Sequence, residues 1–389
     1  MAAAASPSQR RIGFAFAALI LVLILLLWRP ASEHLRAAGL LMRIQDSEHP
    51  GWLAEREAYR VSESATEVAT QAGLIRARLY APEGLSDAPG MVIVHGVHRL
   101  GIEEPRLVAF ARAMAAGGVQ VLTPELASLA DYRVEPGAIA LIGDSARSFA
   151  ESLHQKVGVL GISFGGGLAL LAAADLQYAR YIRFVMTVGA HDDLGRVTEF
   201  FVTNRIERPD RSVAQMKAND YGPLVLIYSH AEDFFPPADV PRARNALRLL
   251  LWEQPDESKK EAGALSESSQ HEMDLIYKGD KQALAGEMQQ VVERHQPEMA
   301  AVSPHGHLAA LQVPVFLLHG AGDNVIPPTE LLWLEHEVPH DKLRAALVSP
   351  AISHASMEDT FPFVDRLRLV DFMAKVLEAA DDRQAVPAQ

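Results

Sequence analysis

Ser163 stands in Gly161-Ile162-Ser163-Phe164-Gly165, between the apolar run VGVLG and the small-residue run GGGLALLAAA. A serine hydroxyl is a weak nucleophile on its own. Acyl transfer needs a base beside it, and the base needs an acid to orient it. The pattern G-x-S-x-G supplies the required turn. It is too tight for large flanking side chains, and it lifts the hydroxyl out at a strand end over a helix N-terminus. A purely structural small-residue turn also fits five residues; the strand-like run before and the helical run after favour the nucleophile. Downstream, Asp323 lies in LLHGAGDNVIPP, a glycine-containing loop directly after an apolar run. His354 lies in SPAISHASME, between the next apolar run and the last helix. Serine, acid, histidine is the chain order expected of a triad carried on a parallel sheet. Both loops leave carboxyl ends of strands, where ligands bind in such sheets.

An oxyanion also needs two backbone N–H donors. Phe164, next after the nucleophile, offers one. The segment VIVHGVH places His95, Gly96 and Val97 just after a strand, so Val97 offers the other, with Gly96 permitting close backbone approach. His95, Gly96, His98 and His191 are candidates to line the substrate pocket. A structural role for His98 stays open, Asp193 is a reserve acid, Glu125 reads as a turn residue and His319 as a structural strand-end residue. His305 and His307 in SPHGHL lack further ligands in an organised pattern. No metal and no cofactor are expected.

These residues need elements to hold them. Residues 65–81 read as a hairpin around QAG. The runs MVIVHG, VQVL, VGVLG and FVMTVG read as strands, without polar alternation. They alternate with helical stretches at 105–116, 137–153 and from residue 165, which means a parallel sheet covered on both faces. The alternation stops at 196–310 and resumes with VPVFLLHG, a helix over 329–337, strand LRAALVS and a last helix. In that helix Phe363, Leu367, Val370, Ala374 and Leu377 share one face. The segment PLVLIYSHAEDFFPP imitates the Asp323 strand and loop but lacks their glycines, and reads as a lid helix or a decoy.

The chain has 389 residues, 49% hydrophobic, with a net charge of −13 at pH 7 and no cysteine. The negative balance excludes general nucleic-acid binding. The missing cysteines exclude disulfides, thiolate metal sites and a cysteine nucleophile. Arg10 and Arg11 precede an apolar run, Ile12 to Trp28, that would span about 25 Å as a helix. It is longer than the apolar region of a signal peptide, and Arg29-Pro30 follows directly instead of a small-residue cleavage site. The expectation is a single-pass membrane anchor over 1–30, with a cleaved signal peptide and a buried helix as the alternatives, and with the globular part on the extracytoplasmic side. A helical lead-in follows at 31–64, then the first part of the catalytic core at 65–195, a largely helical lid insertion at 196–310, and the second core part at 311–389.

The pieces HG at 95–96, GISFGG at 161–166, HGAGDNVIP at 319–327 and SHASM at 353–357 resemble those of the α/β-hydrolases. The resemblance covers about residues 65–195 and 311–380. It implies an α/β fold with an eight-stranded, mostly parallel sheet flanked by helices, a Ser163–His354–Asp323 triad and no cofactor. The HG loop departs from the HGGG type of lipases and esterases, which puts that subgroup in doubt. Serine at the elbow argues against the dehalogenases and epoxide hydrolases, which use a carboxylate there. The function expected is a serine hydrolase that cleaves an ester or related acyl bond of a small substrate through an acyl-enzyme. A peptidase or thioesterase of the same fold, and a catalytically inactive membrane-tethered binding module, are the alternatives.

Overall fold

The computed structural model describes residues 31–56, 58–353, 362–382 and 386. Strands β1 (Val61–Thr70) and β2 (Gly73–Pro82) form an antiparallel hairpin. Then come β3 (Gly90–Val94), β4 (Gln120–Pro124), β5 (Val157–Ile162) and β6 (Ile182–Val188). Strands β7 (Arg205–Glu207) and β8 (Val213–Gln215) make a separate two-stranded ribbon. Strands β9 (Val315–Gly320) and β10 (Leu343–Ser349) complete one eight-stranded sheet in the order β1-β2-β4-β3-β5-β6-β9-β10. In this sheet β2 runs antiparallel to β1 and β4, and every other pairing is parallel. This is the mostly parallel eight-stranded sheet that the sequence resemblance implies.

The strands β3, β5 and β9 are buried along their length apart from Ile162, because helices cover both faces. Helices of two turns or more are numbered in order. Helix α1 covers residues 31–45, α2 Pro105–Ala116, α3 Gly137–Leu153 and α4 Phe164–Ala174. Helix α2 starts where Glu104 accepts a bond from Leu107 N at 2.8 Å and Pro105 fills the first helical position. Helix α3 buries Ile142, Ala146, Phe149 and Ala150, the spacing of one helical face. Between β6 and β9 lie α5 (Leu194–Thr203), α6 (Tyr221–Ser229), α7 (Val240–Leu251), α8 (Pro255–Ala262), α9 (Glu267–Lys278) and α10 (Lys281–Arg294). Helices α11 (Thr329–Glu337) and α12 (Phe363–Asp381) follow the next two strands. One core joins α3, α4 and the inserted helices; the other lies under α1, α2 and α12.

The segment PLVLIYS is the helix α6, as its missing glycines suggested, and the β7–β8 ribbon was not foreseen. The face assigned to the last helix needs correction. Helix α12 buries Leu369, Phe372, Met373, Val376, Leu377 and Ala380, whereas Phe363 and Leu367 are exposed. Only the later turns of α12 lie on the sheet, so burial begins at Leu369. Ala374 and Leu377 belong to both faces. Among the described residues no helix is long and apolar enough to cross a membrane. The apolar run from Ile12 to Trp28 lies outside the described residues.

Candidate active site

Ser163 follows β5 and caps α4, with φ 56° and ψ −132°. A non-glycine residue at positive φ costs on the order of 1–3 kcal/mol and persists only where its surroundings enforce it. Here the enforcement is visible. Ser163 N donates to Val188 O at 2.8 Å and Gly166 N donates to Ser163 O at 2.8 Å. A Cβ on Gly161 would lie 2.4 Å from Gly165 O, and one on Gly165 would lie 2.5 Å from His95 O. The glycines are therefore fixed by backbone crossing backbone. A Cβ on Gly96 would lie 3.1 Å from Ser163 Cβ and 3.7 Å from its Oγ, so the loop after β3 runs against the serine side chain. Among the described residues neither Val97 N–H nor Phe164 N–H has a backbone acceptor.

Asp323 is fully buried in the loop after β9. Its Oδ1 accepts from Val325 N at 2.9 Å and Ile326 N at 3.0 Å. Its Oδ2 lies 3.4 Å from His319 Nε2, which in turn lies 2.9 Å from Ile326 O. His319 thus braces the Asp323 loop from within β9. His354 lies outside the described residues. The chain just before it is placed: a Cβ on Gly320 would lie 2.5 Å from Ile352 O and 2.6 Å from Ser353 O. The loop after β10 therefore crosses the base of the Asp323 loop.

Ser163 opens on a cavity of about 720 Å³ that His95, Gly96, Val97, His98 and Ile352 also line. Its lining includes the apolar Leu107, Phe110, Met186, Leu369 and Met373, together with the charged Glu104, Arg106 and Glu253. The His95 ring is spent on structure as well: Nε2 accepts from Leu126 N at 3.0 Å, so Nδ1 donates to Gly96 O at 2.7 Å. Burial brings its pKa down to about 4, and the ring is neutral. His98 Nδ1 accepts from Leu100 N at 3.3 Å.

His191 is elsewhere, and its place as a lining residue is corrected. It is fully buried, its Nε2 donates to Val302 O at 3.0 Å, and its ring sits behind Phe164 with centroids 5.4 Å apart. Gly167 leaves it room, since a Cβ there would lie 2.3 Å from the ring. Burial lowers its pKa. Asp193 caps α5, accepting from Gly195 N and Arg196 N. Asp192 joins a buried ion cluster. Arg196 bonds Glu330 at 2.7 Å and Asp192 at 2.9 Å, and stacks on Trp333 at 4.3 Å. Glu330 also accepts from Asp192 N and Asp193 N. Burial, and then the Glu330 charge, push the Asp192 carboxyl up to about 7. This cluster ties the β6 loop to α11, the helix after the Asp323 loop. Its members are scattered in sequence and no motif marks them.

Tyr221 was also missed. It lies on α6, lines the cavity and donates from its hydroxyl to Val97 O at 3.1 Å. The inserted segment thereby touches the loop beside Ser163.

The sequence matches no known family description and no curated protein. Solved structures with similar folds exist. A hyperthermophilic esterase from Pyrobaculum calidifontis has 14% identity and TM-score 0.45, over 89% of this chain and 90% of its own. An acylaminoacyl peptidase from Pyrococcus horikoshii has 14% identity and TM-score 0.49, over 87% of this chain and 44% of its own. A dienelactone hydrolase described as putative, from Klebsiella pneumoniae, has 13% identity and TM-score 0.43, over 83% of this chain and 99% of its own. The chain thus spans under half the length of the peptidase.

Proposed function

We propose that the protein is a serine hydrolase that cleaves an ester or a related acyl bond. The observation that carries the reading is Ser163: a strained backbone at a strand-to-helix turn, with its side chain against Gly96 and facing a cavity. Strain of this kind is maintained by several backbone contacts and serves no evident packing purpose.

In the mechanism, His354 removes the Ser163 proton as Oγ attacks the carbonyl carbon. The C–O bond forms and the carbonyl oxygen takes the negative charge, facing the N–H groups of Val97 and Phe164. His354 then gives its proton to the leaving alcohol, and the acyl–oxygen bond breaks. Water, deprotonated by His354, attacks the acyl-enzyme; the acid leaves and Ser163 recovers its proton. Asp323 fixes the imidazole and stabilises its cation. The two N–H bonds on Oδ1 hold this carboxylate in place.

The apolar side chains in the cavity lining support an apolar acyl group. The helices from α5 to α10 form the lid, with Tyr221 as its contact to the oxyanion loop. The N-terminal apolar run serves as the membrane anchor and puts the catalytic part outside the cytoplasm. The test is fluorophosphonate labelling and ester turnover of Ser163→Ala. Both fall by several orders of magnitude, on the scale of a broken triad. Near-normal turnover in that variant would refute the assignment.

A further inference from the structure

The inserted segment carries a second cluster, separate from Ser163. His230 ends α6, His295 ends α10, and Glu298 lies one helical turn beyond His295 in the short helix Gln296–Ala300. The two imidazole rings are 4.0 Å apart, tilted by 32°. One ligand atom from each of His230, His295 and Glu298 lies within 4.8 Å of the others. His295 sits between two carboxylates: Nδ1 is 3.0 Å from Glu298 Oε2, and Nε2 is 2.7 Å from Asp233 Oδ2. Asp233 also pairs with Arg294.

We propose that His230, His295 and Glu298 bind one divalent metal ion of the zinc class, with Asp233 holding the far nitrogen of His295. Two imidazoles and one carboxylate suit zinc, and imidazole disfavours magnesium and calcium. Bonds of about 2.0–2.1 Å around one ion put its ligand atoms roughly 3.3 Å apart. Glu298 Oε2 is already 3.0 Å from His295 Nδ1, so the contraction falls on the distances to His230. A carboxylate on the second nitrogen of a ligating histidine is the usual support for such a site, and Asp233, largely buried, provides it. Arg294 and Asp233 cancel in charge, which leaves Glu298 as the anionic ligand.

Three protein ligands leave a fourth position. His230, His295 and Glu298 line a second cavity of about 620 Å³, which Phe164 also lines. The ion joins the end of α6 to the end of α10. Because α6 also carries Tyr221, occupancy fixes the helix that touches the Val97 loop. The site does not depend on the hydrolase reading.

The experiment is cobalt titration of the full chain, solubilised and stripped of metal with a chelator, followed by visible absorption and competition with zinc. The expected result is one equivalent of Co²⁺ with ligand-field bands of a low-coordinate N/O site, displaced by Zn²⁺. His230→Ala and His295→Ala abolish the bands. Asp233→Asn weakens binding by about tenfold or more, and His305→Ala and His307→Ala leave it unchanged. Glu298→Gln changes an exposed side chain, so it tests the site even where a histidine variant fails to fold, and it too weakens binding. No Co²⁺ uptake at micromolar concentration by the wild type overturns the proposal, as does uptake that Glu298→Gln and both histidine variants leave intact.

Discussion

Gly161→Ala tests the elbow without touching any reacting atom. The added Cβ would stand 2.4 Å from Gly165 O, 2.5 Å from Gly166 Cα and 2.7 Å from Gly165 C. All three are backbone atoms in the first turn of α4, so no side chain can rotate away. Ordinary contact begins near 3.4 Å, so β5 and α4 must part by 3.4 − 2.4, or 1.0 Å. Ser163 is the residue between them. A displacement of about 1 Å at a reacting group costs on the order of 10²-fold in rate, or ~2.7 kcal/mol of transition-state stabilisation. Overpacking costs a further ~1–3 kcal/mol of stability. The assay pairs the fluorophosphonate labelling rate at Ser163 with hydrolysis of an activated aryl ester and a thermal melt. Gly286→Ala on α10 is the control, because nothing lies within 4 Å of its Cβ. It should stabilise by up to ~1 kcal/mol through helix propensity and label at the wild-type rate. A folded Gly161→Ala protein that also labels at that rate would refute the reasoning.

Three further outcomes follow from the surroundings of the site. Arg196→Met leaves Asp192 and Glu330 buried together without the arginine they share, with His305 Nδ1 still 3.2 Å from Asp192, and should lower unfolding stability by roughly 3–5 kcal/mol; a denaturant titration that finds under about 1 kcal/mol contradicts the cluster. His95 is held neutral down to about pH 4 in the fold but takes a proton near pH 6.5 once unfolded. The unfolded state thus binds more protons in this window. Stability should fall by about 3 kcal/mol as pH drops from 6.5 to 4, and His95→Gln should lose that component in pH-dependent melts. Tyr221→Phe removes the bond to Val97 O and should cost about 1 kcal/mol. It should slow turnover more than it lowers the melting temperature, and a variant with unchanged kcat would separate α6 from the oxyanion loop.

Much of this protein was legible in the sequence because its signals are local. Apolar runs without polar alternation mark buried parallel strands, and helix α3 and strand β10 have the bounds that periodicity suggests. G-x-S-x-G marks the elbow because the turn itself demands small residues within a few positions of Ser163. The order of Ser163, Asp323 and His354 along the chain follows from which strands carry them. Other features depend on chain segments meeting at a distance. Phe363 and Leu367 fit the periodicity of α12 and are nonetheless exposed, because the sheet covers only the later turns. His191 follows a strand end as a pocket residue would, yet it packs behind Phe164, where Gly167 makes room. Asp192, Arg196 and Glu330 form no motif, and neither do His230, His295 and Glu298. Asp192 and Arg196, and likewise His295 and Glu298, are local pairs four and three residues apart, but Glu330 and His230 reach them only because distant segments pack together.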